Sequence, residues 1–351
     1  MSEPAQSTSF GGPPESQAAS LSVLIPTYNE ADWIERNLTC LSAAIERADW
    51  VNSEVIVIND GSTDGTSQIL GGIRLPLNLR VLNQTNQGFL VARIAGLQWA
   101  TGDYVLFLDA RIQLEPNALK FIRDQSRDHP ERQVWNGHVE ISRESNFYAR
   151  FWHAVTRIAW RRYLTDPQLT SYTAADFDYY PKGGGCFFTP RSILLNAYST
   201  YDAPQRVTDD ELIRRISERL PIFLSPDFGC TYQYGRDSFR AFLKHAFARG
   251  IHVPDDFLNK TSRYFWPLVA FLLLSPLAIV VTFVRPIILI AVPLIWAVAA
   301  AAGLKLGIAA KDAAAFGLLS PAFAIAYGAG IWKGFFLLAK VRFRRSNWPK
   351  T

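Results

Sequence analysis

Two stretches of the sequence change abruptly from apolar, β-branched residues to polar residues. They are Ser22–Glu30 (SVLIPTYNE) and Val55–Thr66 (VIVINDGSTDGT). Apolar runs of this kind are typical of buried parallel strands. The polar residues then fall at the carboxyl ends of the strands, where open α/β sheets bind ligands, and acids at both ends indicate a nucleotide pocket. The side chains predicted to line this pocket are Pro26, Thr27, Tyr28, Glu30, Asp60 and Ser62.

Three further clusters carry residues suited to chemistry. The apolar run Tyr104–Leu108 ends in Asp109–Ala110–Arg111, an acidic cluster Asp209–Asp210–Glu211 follows Thr208, and Lys182–Cys186 is rich in glycine. Adjacent carboxylates disfavour each other's ionised form, which helps a general base to work near neutral pH. The same acidic cluster also suits a helix N-cap, and the two roles are compatible.

Alternating strand and helix patterns must position these clusters. Such alternation predicts a mostly parallel sheet with helices on both faces. The predicted strands are 21–26, 55–59, 79–82, 104–108 and 134–141, and the predicted helices are 30–47, 63–70, 89–99 and 116–124. Residues 142–228 are less regular and are interpreted as the second half of the same domain.

Composition narrows the class of protein. The 351 residues include 36 Lys+Arg against 31 Asp+Glu, a net charge of +5, which is too mild for a nucleic-acid partner but suits an anionic membrane surface. Three widely spaced cysteines show no zinc-binding spacing and favour a reducing, cytosolic setting. Residues 1–20 lack the basic and apolar regions of a signal peptide and are predicted to be a disordered tail.

Apolar residues, 49% of the chain, are concentrated after residue 263. Segments 264–284, 286–304 and 313–332 each approach the ~20 residues needed to cross a bilayer. Together they predict a transmembrane region over 264–340 with two or three helices. Residues 229–263 combine basic and aromatic residues at helical spacing, which predicts an amphipathic interfacial connector, with an ordinary surface helix as the alternative.

Basic residues in the final segment, 341–351, predict a cytoplasmic carboxyl terminus. A cytoplasmic catalytic domain as well requires an even number of crossings, although three segments are visible. One segment is then re-entrant or interfacial, or the positive-inside rule fails in this chain.

Pro26–Glu30 and Asp60–Asp64 together resemble the donor-binding motifs of family 2 glycosyltransferases, over about residues 21–220. The resemblance implies an α/β fold of the GT-A type, with a Rossmann-like, mostly parallel sheet, in a catalytic domain spanning 21–228. It also implies that Asp60 hydrogen-bonds the nucleobase of a nucleoside-diphosphate sugar. Tyr28 would pack near that base, and Thr27 and Glu30 would contact the base or ribose.

Asn86–Gln87–Gly88 followed by Arg93 resembles the family's next donor motif. By this resemblance Gln87 and Gly88 adjoin the donor, and Arg93 is a candidate contact to phosphate or sugar. An exposed position on a solvated helix face is the alternative for Arg93.

The triplet Asp109–Ala110–Arg111 lies where the family has Asp-x-Asp, whose last Asp usually ligates Mg²⁺ or Mn²⁺. Arginine has no ligand to offer such an ion. Three interpretations stay open. Asp109 and the diphosphate hold the metal with help from another residue such as His138 or Glu140; Arg111 itself neutralises the diphosphate; or Arg111 pairs with Asp109 in an inactive site.

Thr208–Leu212 resembles the family's Glu-Asp-x-x-Leu element, whose Asp is the catalytic base. Counting back from Leu212 selects Asp209, whereas reading the pair of acids selects Asp210. Gly184 and Gly185 resemble the turn below the acceptor site, where backbone approaches the sugar.

The carboxyl-terminal pattern, including 324–334 (AIAYGAGIWKG), resembles the membrane-bound, succinoglycan-biosynthesis type within the family. The resemblance implies an inverting transferase at the inner (plasma) membrane that uses a UDP-sugar and a polyprenyl-linked saccharide acceptor, with membrane lipids as further partners. A polyprenyl-phosphate glycosyltransferase and a nucleotide-binding scaffold without turnover are the alternatives. The absence of a clear Gln-x-x-Arg-Trp element favours addition of a single sugar.

Overall fold

The computed structural model describes residues 19–142, 145–201, 207–235, 237–258, 260, 262–284, 292–305 and 307–346. Within these ranges the chain divides into two compact units. The first runs to residue 139 and includes 168–175 and 182–232, and the second contains 140–167, 176–181 and the chain from 233 onwards. The predicted catalytic domain, 21–228, therefore contributes two segments to the second unit. The tail predicted over 1–20 lies outside the described residues except for its last two.

Most strands of the first unit join one eight-stranded sheet in the order β3-β2-β1-β4-β9-β6-β10-β8, and a small sheet has the order β5-β11-β7. β9 runs antiparallel to both of its neighbours, β8 is antiparallel to β10, and the other pairings in the large sheet are parallel. The strands are β1 Leu21–Thr27, β2 Ser53–Asp60, β3 Leu79–Gln84, β4 Tyr104–Leu108, β5 Ile112–Leu114, β6 Val134–Asn136, β7 His138–Ile141, β8 Thr170–Tyr172, β9 Cys186–Pro190, β10 Ile222–Leu224 and β11 Gly229–Tyr232.

α3 packs against β1 and β2 of the large sheet, and α7 packs against β9. α3 can lie this close because a side chain at Gly96 would collide with Ile58 of β2. The helices of the chain are α1 Ile34–Ala48, α2 Thr66–Gly72, α3 Phe89–Trp99, α4 Ala118–Asp128, α5 Phe147–Ala159, α6 Arg161–Leu164, α7 Arg191–Ser199, α8 Asp209–Ser217, α9 Phe239–Phe257, α10 Phe265–Val284, α11 Val292–Lys305 and α12 Ala310–Ser346.

The α/β pattern of the first unit is confirmed, with one strand predicted wrongly. Residues 134–141 form two strands in different sheets, because the chain leaves the large sheet at Gly137. The Gly137 N–H donates to the carbonyl oxygen of Cys186 at 2.8 Å, and a side chain there would collide with the Cys186 thiol. The predicted connector also starts too early, because residues 229–232 form β11, which pairs antiparallel with β5.

The second unit is built from α5, α6 and α9–α12, and α9 packs closely along α12. Glycines allow this approach: a side chain at Gly330 would collide with the backbone of Phe247, and one at Gly334 with the backbone of Ile251. The predicted membrane segment 264–284 coincides with α10 except for its first residue, and the segment 313–332 falls within α12. The segment 286–304 lies partly outside the described residues, and α11 accounts for the rest of it.

In the described part of the chain, residues 310–340 of α12 form one helix long and apolar enough to cross a membrane by length and composition. α10 contains a shorter apolar helical run over 265–278. Large apolar side chains of both helices are exposed, among them Trp266, Leu273, Leu274, Leu318, Ile325 and Phe336.

His153 of α5 lies between two carboxylates within the second unit. Its Nδ1 is 2.9 Å from Asp312 Oδ2, and its Nε2 is 3.2 Å from Glu140 Oε2. Arg150 and Arg157 border the same carboxylates, at 3.0 Å from Asp312 and 3.7 Å from Glu140. Burial lowers the pKa of His153, but the hydrogen bonds and charges of its two carboxylate partners outweigh burial and raise the pKa above its usual value.

We expect this cluster to stabilise the second unit most strongly in acid. A raised pKa in the folded state gives stability that is fully present below the unfolded pKa of about 6.5 and is lost as the pH rises through the folded pKa. His153→Gln should therefore lower the melting temperature of the detergent-solubilised chain more at about pH 6 than at about pH 9. His129→Gln, which changes a half-buried histidine of the first unit, is the control. An equal loss at both pH values would contradict the expectation.

Candidate functional site

The loops at the carboxyl ends of β1 and β2 are hydrogen-bonded to each other. The Asn29 N–H donates to Ser62 Oγ at 3.0 Å, and Asn29 Oδ1 accepts from the Thr63 N–H at 2.8 Å. Asn29 has a left-handed φ of 55°, which asparagine tolerates better than most residues. Asp64 Oδ2 accepts from the Ala31 N–H at 3.1 Å. These bonds hold the two predicted donor motifs side by side.

Asp60 holds a third loop in place. Its Oδ1 accepts from Gln84 Nε2 and from the Gln87 N–H, at 2.7 and 2.9 Å, and its Oδ2 accepts from the Gly88 N–H at 2.8 Å. Asp60 is buried, whereas Gln87 and Gly88 are exposed. Gly88 has a φ of 93°, a conformation that favours glycine. The carboxylate thus fixes the loop that leads into α3 as well as lying where a nucleobase contact is predicted.

The other residues of the predicted pocket differ in accessibility. Tyr28 is exposed and Glu30 and Ser62 are half-buried, whereas Pro26 and Thr27 are buried in β1. Pro26 lies beyond Leu24, where the pairing of β1 with β4 ends, so its missing N–H costs no hydrogen bond there.

Arg93 of α3 joins two carboxylates that are distant in sequence. Its Nη2 lies 3.0 Å from Asp109 Oδ1 and its Nη1 lies 2.5 Å from Asp209 Oδ1. Nη2 also donates to the Gly184 carbonyl at 2.5 Å. The guanidinium stacks 4.1 Å from the Phe89 ring centroid. Arg93 is fully buried and does not lie on a solvated helix face.

The glycine-rich turn at Lys182–Cys186 leaves room for the ion pair of Arg93 with Asp109 and Asp209. A side chain at Gly184 would collide with the guanidinium of Arg93 and the carboxylate of Asp209, and one at Gly185 would lie 2.7 Å from Asp109 Oδ2. The Asp109 N–H donates to the Gly185 carbonyl at 2.8 Å, which fixes the end of β4 against the turn.

Two adjacent acids at the start of α8 have different surroundings. Thr208 is the N-cap, since its Oγ1 accepts from the Glu211 N–H at 3.3 Å, so the cap role does not fall to Asp209. Asp209 contacts Arg93, whereas the charge of Asp210 acts on Tyr172, a buried tyrosine whose pKa is raised by burial and further by Asp210. Asp209 is therefore the acid that adjoins the Asp109 cluster.

Arg111 pairs with Glu30, and its Nε donates to Glu30 Oε2 at 2.7 Å. Burial raises the pKa of Glu30 and Arg111 opposes that shift. A hydrogen bond with Tyr232 of β11 also acts on Arg111. The interpretation in which Arg111 is the ion-pair partner of Asp109 is wrong, because Arg93 occupies Asp109 Oδ1 and Glu30 binds Arg111.

The donor set at Asp109 does not fit Mg²⁺ or Mn²⁺. These cations take oxygen ligands, but Arg93 already contacts Asp109 and Asp209, and Arg111 already contacts Glu30. Glu140, considered as an additional ligand, contacts His153 of the second unit. Among the residues that the structure describes, no group of three or more His, Cys, Asp or Glu side chains could hold a metal ion.

Burial raises the pKa of Asp109. Arg93 opposes this effect, and the nearby charge of Asp209 adds to it.

Sequence reasoning selected Asp109, Asp209 and Arg93 separately but did not identify their contact. It also did not select Tyr232 or Asn59. The side-chain amide of Asn59 donates to Ser67 Oγ and to Asn83 Oδ1, both at 2.9 Å. An aspartate at position 59 could not donate these bonds.

The first unit is thus a mostly parallel α/β domain with acids and arginines gathered at the carboxyl ends of its strands. Residues 22–194 match the family described as "Glycosyl transferase family 2".

One relative, the "Uncharacterized glycosyltransferase YibD" of Escherichia coli K12, is 42% identical over 98 residues, which are 27% of each chain. Among solved structures, S. aureus TarS 1–349 in complex with UDP superposes with a TM-score of 0.50 at 18% identity, covering 94% of this chain and 93% of that one. This likeness supports the GT-A-like fold.

A mannosyltransferase from Pyrobaculum calidifontis, in complex with GDP-Man and Mn²⁺, has a TM-score of 0.48 at 20% identity over 96% of this chain and 89% of that one. The first three curated relatives are matched over only 27%, 13% and 11% of their own length.

We expect Gly184→Ala to destabilise the first unit. Its added methyl group would overlap the Arg93–Asp209 pair, and overpacking of this kind costs about 1–3 kcal/mol. Gly183→Ala is the matched control, because nothing lies within 4 Å of a side chain at that position. Thermal unfolding of both variants measures the difference, and equal melting temperatures would contradict the packing described.

Arg93→Met should be more damaging, because it leaves two neighbouring carboxylates without their cation. Breaking a buried pair costs roughly 3–5 kcal/mol, and the loss should fall at or below that range because Asp109 and Asp209 keep part of their exposure. Arg80→Met, in the more exposed Arg80–Glu54 pair, is the control and should cost about 0–1 kcal/mol. The two free energies of unfolding would then differ, and similar values would argue against a central role for Arg93.

Proposed function

We propose that the chain is an inverting glycosyltransferase. It transfers a sugar from a nucleoside-diphosphate sugar, which we propose is a UDP-sugar, to a hydroxyl group of a polyprenyl-linked saccharide. The observation that carries the proposal is the contact of Arg93 with both Asp109 and Asp209, which joins the end of the donor-side strand to an acid on the acceptor side. The UDP bound to the TarS structure is consistent with this choice of nucleotide.

The donor would lie across the carboxyl ends of β1, β2 and β4. Tyr28 is exposed there for contact with the base, and the loop held by Asp60 brings Gln87 and Gly88 to the same edge. Hydrogen bonds between the β1 and β2 loops restrict the motion of these loops before the donor binds, which reduces the entropic cost of binding.

Asp209 would act as the general base. Its carboxylate takes the proton of the acceptor hydroxyl while the acceptor oxygen forms a bond to the anomeric carbon. The bond from that carbon to the diphosphate oxygen breaks on the opposite face, and its electron pair leaves with the diphosphate. Arg93 would be a positioning residue, because it is fully buried and holds Asp209 Oδ1 while the other oxygen remains to accept the proton.

Gly184 and Gly185 would form the floor of the acceptor site. Side chains at these positions would occupy the space that Arg93, Asp209 and Asp109 use. The turn therefore allows the backbone, and an acceptor sugar above it, to lie close to the two acids.

We also propose that the second unit anchors the enzyme in the inner membrane, with the catalytic domain in the cytoplasm. The apolar helix at 310–340 and the exposed apolar side chains of α10 and α12 support this proposal, because water-exposed surfaces rarely carry so many large apolar residues. Anchoring would place the enzyme in the same membrane as a lipid-linked acceptor. The number of crossings, two or three, is part of the proposal that topology mapping would test.

We expect Asp209→Asn to reduce turnover by about 10²–10⁴-fold, the usual contribution of a general base, while Asp210→Asn has a much smaller effect. The measurement is release of nucleoside diphosphate by the detergent-purified chain with a panel of sugar nucleotides and a membrane-lipid extract. Asp210→Asn is the matched control, since it removes a neighbouring carboxylate of the same helix. Equal losses in the two variants would contradict the assignment of Asp209.

The same assay separates the two alternatives. A polyprenyl-phosphate acceptor is already an anion and needs no base, so full activity of Asp209→Asn on polyprenyl phosphate would favour that transferase. Nucleotide binding with no release from any donor would favour a scaffold.

A further inference from the structure

Resting on the transfer function above, we propose that Arg111 neutralises the donor diphosphate in place of a divalent cation, and that Glu30 is the positioning residue that orients its guanidinium. The triplet Asp109–Ala110–Arg111 puts a cation where the family pattern puts a metal ligand. The charge that the reaction requires is thereby supplied by the protein itself.

Backbone geometry places Arg111 at the ligand-binding edge of the sheet. The Ile112 N–H donates to the Asp109 carbonyl at 2.9 Å, so residues 109–112 form a tight turn between β4 and β5. β4 pairs in parallel with β1, whose carboxyl end leads to Glu30. Arg111 and Glu30 therefore meet where two neighbouring parallel strands end, which is where open α/β sheets bind phosphates and other ligands.

Two arginines share this edge, but only Arg111 keeps an accessible side chain. Arg93 is fully buried and uses both terminal nitrogens on Asp109, Asp209 and the Gly184 carbonyl. The side chain of Arg111 is 23% exposed, and its Nε is the atom that Glu30 holds at 2.7 Å. A guanidinium held through Nε can present its two terminal nitrogens to phosphate oxygens.

The carboxylates of the cluster are already paired with arginines. Glu30, Asp109 and Asp209 carry three formal negative charges against two positive charges from Arg93 and Arg111. Each carboxylate already contacts a guanidinium, so a divalent ion bound to any of them would lie close to a positive charge. A diphosphate has oxygen atoms that can accept hydrogen bonds from the terminal nitrogens of Arg111.

Arg111 would act on the leaving group without transferring a proton. As the bond between the anomeric carbon and the diphosphate oxygen lengthens, negative charge accumulates on that oxygen. The N–H groups of Arg111 donate hydrogen bonds to the diphosphate and stabilise that charge, while the acceptor proton goes to Asp209. Glu30 and Tyr232 hold the guanidinium in its orientation, so little reorganisation is required when the donor binds.

The test is calorimetric binding of UDP and of uridine to the full-length, detergent-purified chain after EDTA treatment, with and without added Mn²⁺. We expect the unmodified chain to bind UDP equally well in EDTA and in Mn²⁺. Arg111→Ala should weaken UDP binding by about 10- to 100-fold, as expected for hydrogen bonds to a charged group, and leave uridine binding unchanged. Arg111→Lys should recover part of the loss, because lysine keeps the charge but lacks the planar fork.

Arg80→Ala is the matched control, since Arg80 also pairs with a glutamate, Glu54, but at the amino end of β2 and away from the site. It should leave UDP binding unchanged. Loss of UDP binding in EDTA with recovery in Mn²⁺ would overturn the proposal, as would unaltered UDP binding by Arg111→Ala. If the folded, unmodified chain binds neither UDP nor GDP under any condition, the proposed function fails and this inference fails with it.

Discussion

The first unit depends on one buried cation, the guanidinium of Arg93, held between Asp109 and Asp209. These three residues come from α3, the end of β4 and the start of α8, so the ion pair ties together elements that are far apart in sequence. An arginine without access to water is stable only if nearly all its charge is compensated, and here two carboxylates, a carbonyl and the faces of Phe89 and Phe107 surround it.

A second level of organisation comes from polar residues that bind backbone. Asp60, Asn29 and Asp64 all use side-chain oxygens to hold N–H groups of neighbouring loops. These are short polar side chains following apolar strands, and their types favour loop hydrogen bonds of this kind. Residues that the sequence predicts to contact a ligand, such as Asp60, thus also hold the loops around the predicted ligand site in place. The two roles are compatible, because a carboxylate has about four acceptor positions and Asp60 uses three of them.

Metal-ion chemistry and arginine chemistry solve the same electrostatic problem in different ways. A divalent cation brings a concentrated charge but needs several oxygen ligands, whereas a guanidinium brings a single charge with its direction fixed by a covalent scaffold. In this chain the carboxylates are already engaged by Arg93 and Arg111. The arginine at position 111 therefore has its own ion-pair partner, Glu30, beside the pairs that Arg93 makes.

Sequence by itself determined the strands β1, β2 and β4, the helix α3 and the polar edge that follows the strands, because strand burial and turn chemistry are encoded locally. Only the tertiary structure decided three features: that Arg93 is buried, that Glu30 is the partner of Arg111, and that Asp209 and not Asp210 adjoins the site. Each feature depends on residues brought together over long separations, from 16 positions for Arg93 and Asp109 to 116 for Arg93 and Asp209. The break at Gly137 is of the same kind. The local pattern there is a continuous strand, but contact with Cys186 redirects the chain into another sheet.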